Sequence, residues 1–390
     1  MVTISSPRIL FVVNVDWFFL SHRLPLARAA RDRGAEVWVA AAPTGQEERI
    51  RREGFRFLPV HFRRSGMDLF QELVTIRNIA KVLQEVRPDL VHNVTIKPVL
   101  YASWLSRILR RPAVVNAISG LGYVFIASGV KARFLRVAVR MAYRAALSGD
   151  GIRVIFQNPD DIESFVGAGL VERDRAVLIR GSGVDVELYR PLPEQPGVPV
   201  IMFASRMLKD KGLVELVEAA RLLRGGKVPF RMVFVGEPDP NNPATVMDNE
   251  LLSWVDEGVI EWWGHQTEME HILPLSAIVA LPSYREGLPK VLLEAASAGR
   301  PIVATDVPGC REAVRDGWNG YLVPPRDHVR LAGAIRRLLE DPALRARMGA
   351  NGREMAVKEF RIEKVVASTL AVYDELLGDK FPGVFAPDPV

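Results

Sequence analysis

The chain has 390 residues and a single cysteine, Cys310. No internal disulfide can form, so stability must come from burial, and the usage fits a reducing compartment. Long apolar runs are also missing. The stretch Ile9–Leu20 is broken by Asn14 and Asp16 and preceded by Arg8. It is too short and too polar to span a membrane, and it lacks the layout of a secretory leader. Arg8–Asn14 reads instead as a buried first strand. No repeat, low-complexity tract or nucleic-acid motif is found, and no nucleic-acid partner is expected.

What is present is an ordinary globular composition, 48% hydrophobic and 25% charged, on a length that suits two domains. Charge is distributed unevenly. Residues 1–190 carry 28 Lys and Arg against 18 Asp and Glu, whereas residues 191–390 carry 23 against 28. A basic first half calls for an anionic partner, such as a phosphate or an anionic membrane surface.

Short β-branched runs alternate with amphipathic ones. Ile9–Val13, Glu36–Ala41, Leu90–His92, Ala113–Asn116 and Val154–Phe156 read as strands. Ser21–Arg33, Asp68–Val86, Pro98–Leu109 and Lys131–Ala146 read as helices between them. Such alternation means a parallel sheet covered on both faces. Leu188–Pro199, rich in proline, reads as a stiff interdomain linker. The alternation then restarts, with strands at Val200–Ala204, Arg231–Val235, Val259–Trp262, Ile278–Leu281 and Pro301–Ala304. Val329–Leu377 reads as helical, with a new helix beginning at Pro342. The expected domains are 1–190 and 191–362, with a helix at 363–378 returning toward the first and a loose tail at 379–390. Two doubly wound α/β domains facing each other make a cleft, with ligands at the carboxyl ends of the strands.

Two segments carry chemistry. Ser205–Gly212 follows a strand and precedes a helix. Arg206 and Lys211 there could oppose a diphosphate, assisted by helix N–H groups; the alternative is a solvated basic turn. Pro282–Arg300 places Glu286 in a loop, Pro289 in the first turn of a helix and Glu294 further along it. Gly287 permits close backbone approach, and Leu288 and Lys290 can offer N–H groups. Eight residues of helix rise about 12 Å, the scale separating a transferred sugar from a nucleoside ribose. Glu294 lies among apolar residues, where a carboxylate needs partners such as vicinal hydroxyls; the alternative is an exposed face of an ordinary helix.

These segments, with D-G-W-N-G-Y-L-V-P-P-R-D at Asp316–Asp327 and G-V-D-V-E-L-Y-R-P at Gly183–Pro191, resemble glycosyltransferase family 4, the retaining family with the GT-B fold of two Rossmann-like domains. The resemblance implies that Arg206 and Lys211 bind the donor diphosphate and Glu294 the ribose. Glu286 would hold the transferred sugar, the Gly287–Leu288 backbone would cap the phosphates, and Gly264–Glu268 would meet the base. Glu286, Arg206 and Lys211 are the catalytic candidates. It implies a nucleotide sugar, by family frequency a UDP-sugar, as substrate, and no metal or other cofactor. No Asp-x-Asp triplet is present, so protein cations would do what magnesium does elsewhere.

The first domain departs from the family pattern. The loop after its first strand, N-V-D-W-F-F-L-S-H-R at Asn14–Arg23, has no glycine, and N-A-I-S-G-L-G-Y at Asn116–Tyr123 has no histidine. Candidate acceptor or sugar contacts are Asp16, His22, His92, Gly120 and Gly122, with a core role for His92 as the alternative. These strings are similar to those of bacterial enzymes building glycans on polyprenyl-diphosphate carriers, which implies a lipid-linked acceptor, a cytoplasmic location and peripheral contact with the membrane. The basic helix Val130–Leu147, with Lys131, Arg133, Arg136, Arg140 and Arg144, and the pair Arg63 and Arg64 would serve that contact; the alternative is a helix packed on the sheet with its arginines in water. Rival readings are a GT-B sugar-nucleotide epimerase and a non-catalytic sugar-nucleotide-binding partner.

Overall fold

The computed structural model describes residues 6–62, 69–109, 112–120, 130–226, 228–240 and 242–386, with backbone alone at 69 and 130–138. Gly122, Arg63, Arg64 and the side chains of Lys131, Arg133 and Arg136 lie outside the described residues. Two compact units result, one drawn from Met1–Ser182 and Val365–Val390, the other from Gly183–Lys364.

The described residues of the first unit hold seven parallel strands: β1 (Arg8–Val15), β2 (Glu36–Ala42), β3 (Arg56–Pro59), β4 (Leu90–Val94), β5 (Ala113–Ile118), β6 (Ile152–Phe156) and β7 (Ala176–Leu178). Their order is β3-β2-β1-β4-β5-β6-β7, with Phe11 of β1 opposite Val39 of β2 and His92 of β4. Strand β1 is apolar almost throughout because both faces are covered. Ile9, Phe11 and Val13 pack with Phe19, Ala27, Leu370 and Tyr373. Leu10 and Val12 pack on the other side with Ile79, Leu83 and Leu105.

The second unit holds β8 (Val200–Ala204), β9 (Arg231–Val235), β10 (Glu261–Trp262), β11 (Ile278–Leu281), β12 (Ile302–Thr305) and β13 (Gly320–Val323). They too are parallel, in the order β10-β9-β8-β11-β12-β13. Asp327 and Asp341 cap the helices His328–Glu340 and Pro342–Glu359 by accepting from the N–H groups of Arg330 and Leu344. Pro342 is tolerated there because a first-turn N–H has no helical partner to lose.

Several boundaries differ from expectation. The chain crosses at Ser182–Gly183 and not at the proline-rich stretch. Val184, Val186 and Tyr189 already belong to the second core. The prolines are followed onto that unit by Glu194, whose two oxygens accept from Arg345 at 2.6 and 3.0 Å. Leu192 also accepts there, from Arg300. The stretch is therefore wall and not hinge. Helix Ser21–Arg33 is two helices, Asp16–His22 and Leu24–Asp32. Pro25 has no N–H to bond back into a continuous helix, so the chain restarts at Arg23. The tail is not loose over 379–386: Phe381 and Phe385 are buried in the first unit's core beside Tyr373 and Leu377; 387–390 lie outside the described residues. The helix Ile362–Leu377 buries Leu370, Val372, Tyr373 and Leu377 in that same core.

Candidate functional site

In the second sheet the strand order reverses between β8 and β11, the place where open α/β sheets bind ligands beyond their carboxyl ends. The two segments singled out in the sequence are the loops leaving those two strands. Beyond β8 the chain makes a turn of 3-10 helix at Lys209–Lys211 and enters the helix Leu213–Leu223. Gly212 links them with φ +78°, and a Cβ there would lie 2.2 Å from the Pro282 carbonyl oxygen. Tyr284 N–H donates to the Asp210 carbonyl at 2.9 Å. Sheet topology and a missing side chain thus bring the two loops into contact.

That contact joins Lys211 to Glu286. The ammonium donates to Glu286 Oε1, which also accepts from Ser283 Oγ at 2.6 Å. The two side chains are 18% and 11% exposed. Arg206 is held differently. Its Nη1 donates to Asp239 Oδ2 at 2.7 Å while the side chain stays 47% exposed. Asp239 sits beyond β9, where Gly236, at φ +133°, lets the chain pass within a forbidden Cβ distance of Ser205 O.

Pro289 precedes the helix Lys290–Ser297 instead of opening its first turn. Glu294 is 6% exposed, so the exposed-helix alternative fails. It is not short of partners either: Lys290 Nζ donates to Oε1 one turn back, and the Tyr189 hydroxyl bonds to the same carboxylate. Burial and Glu294 together push the Tyr189 phenol far up, so it stays a donor. A carboxylate has about four acceptor sites, so external hydroxyls could still be accepted, but their need is smaller than the apolar sequence suggested. Gly309, at φ +81°, backs the Glu286–Gly287 peptide; a Cβ there would be 2.3 Å from Gly287 O. Cys310 lies beside it, its thiol pushed up by burial and by the Glu286 charge, which makes it an inert core group.

Asp239, Ser283, Tyr189, Gly236 and Gly309 were not identified from the sequence as site residues. The glycines follow strands β9 and β12, which is the only local signal; Asp239 and Tyr189 act on Arg206 and Glu294, 33 and 105 positions away in the chain, while Ser283 reaches Glu286 three positions on.

The first-unit candidates scatter. Asp16 is fully buried, and its oxygens accept from the N–H groups of Trp17, Thr44 and Gln46 and from the Thr44 hydroxyl. It pins the loop after β2 to the end of β1 and has no capacity for an acceptor. His92 is 1% exposed, packed on Phe11 and bonded through Nδ1 to the Tyr373 hydroxyl at 2.7 Å; it is a core residue. His22 is partly exposed, stacks on Phe18 and pairs with Ser21 Oγ. Gly120 is half-buried just past β5, at φ +136°.

Comparison with known proteins agrees with this geometry. A profile of glycosyl transferases group 1 matches residues 187–355, and one of glycosyl transferase 4-like proteins matches 8–155. The chain is 26% identical to the N,N'-diacetylbacillosaminyl-diphospho-undecaprenol alpha-1,3-N-acetylgalactosaminyltransferase of Campylobacter jejuni, over 92% of this chain and 98% of that one. It is 27% identical to the putative glycosyltransferase EpsD of Bacillus subtilis, over 95% and 98%. Among solved structures, Anabaena HepE in complex with UDP superposes with TM-score 0.75 at 20% identity, covering 94% of this chain and 100% of that one. Both halves of the chain, and the contact between its two loops at the β8/β11 switch point, thus place it in one family: the protein is a glycosyltransferase of the group 1, family 4 type, with the GT-B fold.

Proposed function

We propose that the protein transfers a sugar, with retention, from a nucleoside-diphosphate donor, a UDP-sugar, to a polyprenyl-diphosphate-linked glycan in bacterial surface-glycan assembly. The observation that carries the donor half is the Lys211–Glu286 pair where the β8 and β11 loops meet, with Arg206 exposed on the same edge. In this reading Arg206 and Lys211 oppose the diphosphate, Glu286 holds the sugar, the Gly287–Leu288 backbone caps the phosphates, and Glu294 accepts from ribose. The C1–O bond to phosphate breaks as the bond from C1 to the acceptor oxygen forms on the same face. The acceptor proton passes to the departing phosphate, whose growing charge the two cations stabilise. The relative solved with UDP supports the base, and the Campylobacter relative supports the acceptor class.

Calorimetry tests the orientation. Glu294→Ala should weaken free UDP and the intact donor alike, by about tenfold, the value of a charged hydrogen bond. Glu286→Ala should weaken the intact donor and leave UDP binding nearly unchanged. Equal losses on both ligands from both variants would reverse the assignment. Release of UDP only on addition of acceptor separates transfer from epimerisation.

The charge opposition is assigned to protein groups, so turnover should persist in excess chelator. Loss of activity on chelation, restored by magnesium or manganese, would overturn that.

The acceptor reading places the enzyme at the inner face of the cytoplasmic membrane. Among the described residues no helix is long and apolar enough to cross one. The helix Val130–Leu147 buries Tyr143, Ala146 and Leu147 and exposes Arg140, Met141 and Arg144. Phe70 and Leu73, on the helix Leu69–Val86, are 71% and 64% exposed. Exposed bases with large apolar side chains suit an anionic interface, each base contributing about 1 kcal/mol. Sedimentation with anionic vesicles should fall with salt, and binding to neutral vesicles should be slight. Replacing Arg133, Arg136 and Arg140 by Glu should release the protein while transfer to a soluble acceptor continues. Wild-type protein that ignores anionic vesicles at low salt would end the membrane reading alone.

A further inference from the structure

Within the first unit, where the restart of the helix at Pro25 turns the chain, Arg23 is buried. It is 7% exposed, its Nη1 donates to the His22 carbonyl at 3.0 Å, and its Nε has no partner among the described residues. No carboxylate pairs with it among the described residues. Burial lowers the guanidinium to about 10, which leaves it charged at neutral pH.

His92 faces the same space. Its Nδ1 is bonded to Tyr373, and its Nε2 is buried with no partner among the described residues. Burial and the positive charge of Arg23 hold the imidazole well below its ordinary range, so it is neutral. Burial also keeps Tyr373 protonated. Where the Tyr373 hydroxyl is the donor to Nδ1, the ring proton sits on Nε2. Arg23 Nε–H and His92 Nε2–H are then two unmet donors on one pocket.

The pocket has a volume of about 20 Å³ and is walled by Leu26, Ile155, Ile179 and Val366. That is room for one atom of water size. It is not sealed, since His22 and Pro25 on its rim are part-exposed. A water would satisfy the two donors but leave the buried charge uncompensated, and an unpaired buried charge is the costlier defect. A ligand must bring lone pairs and negative charge together. Ser182 and Val365, the residues at which the chain leaves and re-enters this unit, line the same pocket.

We propose that this pocket is an anion site, taking chloride or one anionic oxygen of a phosphate group between Arg23 and His92. It lies wholly in the first unit and does not depend on the donor assignment in the second.

The chain has six histidines, so long-range proton–nitrogen spectra of the full-length protein can follow His92 directly, with His92→Gln to assign it. In buffer free of halide and phosphate, His92 should be the neutral Nε2–H tautomer. Titration with potassium chloride and, separately, with inorganic phosphate should move its resonances saturably. A response to chloride alone identifies a halide site; a response to phosphate identifies a site for a phosphate-bearing ligand. Arg23→Met should abolish the shift, and Arg206→Ala, at the donor site, should preserve it. If Arg23→Met does not fold, Arg23→Lys, which keeps charge but loses the Nε–H, should weaken binding about tenfold. Resonances that respond to neither anion, an unprotonated Nε2, or a shift that persists in the Arg23 variants would overturn the proposal.

Discussion

Lys211→Ala should lower turnover by about a hundredfold to a thousandfold, the effect of removing one preorganised donor from a developing anion. It should also destabilise the second unit, because Lys211 and Glu286 are a mostly buried pair. Removing one partner strands the other, at a cost of about 3–5 kcal/mol for a fully buried pair and less here. Among the described residues Glu286 then retains only Ser283 Oγ. The two effects separate in a double variant. Lys211→Ala with Glu286→Gln removes the stranded charge and should recover much of the stability. It should not recover turnover, since the cation opposing the leaving diphosphate is still missing. Denaturant unfolding and steady-state kinetics on the four proteins of the cycle decide the matter. Recovery of both quantities together would mean that Lys211 serves only as the partner of Glu286. Arg206→Ala offers the contrast. Its side chain is 47% exposed, so its pairing with Asp239 contributes no more than about 1 kcal/mol of stability. Its loss should fall on the donor.

Gly309→Ala should be among the most damaging single substitutions in the second unit, although Gly309 has no functional group. Two penalties combine there. A Cβ would lie 2.3 Å from Gly287 O and 2.8 Å from Glu286 O, both backbone atoms that cannot swing aside. The residue also holds φ +81°, where an L side chain costs about 1–2 kcal/mol. Relief requires the Glu286–Leu288 segment to move, and that segment carries the proposed sugar and phosphate contacts. The expected result is a loss of about 2–4 kcal/mol in stability and a fall in donor affinity persisting where the variant is fully folded. Gly317→Ala is the control. It has φ +72° but nothing within 4 Å of a Cβ, so it should show the conformational penalty without displacement of the loop. Equal effects from the two substitutions would mean that the close approach to Gly287 does not matter.

Local pattern carried the long elements because their burial is repetitive. Strands such as Val200–Ala204 are buried at every position, and a continuous apolar run between turns is visible without any partner. Short edge strands escaped the reading. Arg56–Pro59 buries only Phe57 of its four residues, Ala176–Leu178 has only three residues, none of them buried, and Gly320–Val323 opens on a glycine. Each is defined by its ladder to a neighbour more than by its own composition. Asp16 was misassigned for a related reason. A carboxylate at the end of a first strand looks the same in sequence whether it faces a ligand or the backbone of Thr44 and Gln46, 28 to 30 residues on.

By itself the sequence determined that there are two doubly wound domains, because the hydrophobic period is a local property of each segment. It also determined which loops carry Arg206, Lys211 and Glu286 and which helix carries Glu294, because side-chain chemistry just beyond a strand end can be read from the chain alone. Only the tertiary structure decided the pairing of those charges: Lys211 with Glu286, Arg206 with Asp239, Glu294 with Lys290 and Tyr189. It decided too that the crossing falls at Ser182–Gly183, that the C-terminal aromatic residues return to the first core, and that Arg23 is buried without a counter-charge among the described residues. Each of these depends on which distant segments the parallel sheets bring side by side. Coulomb and close-contact energies are set by separation in space, and the order of residues along the chain does not contain that separation.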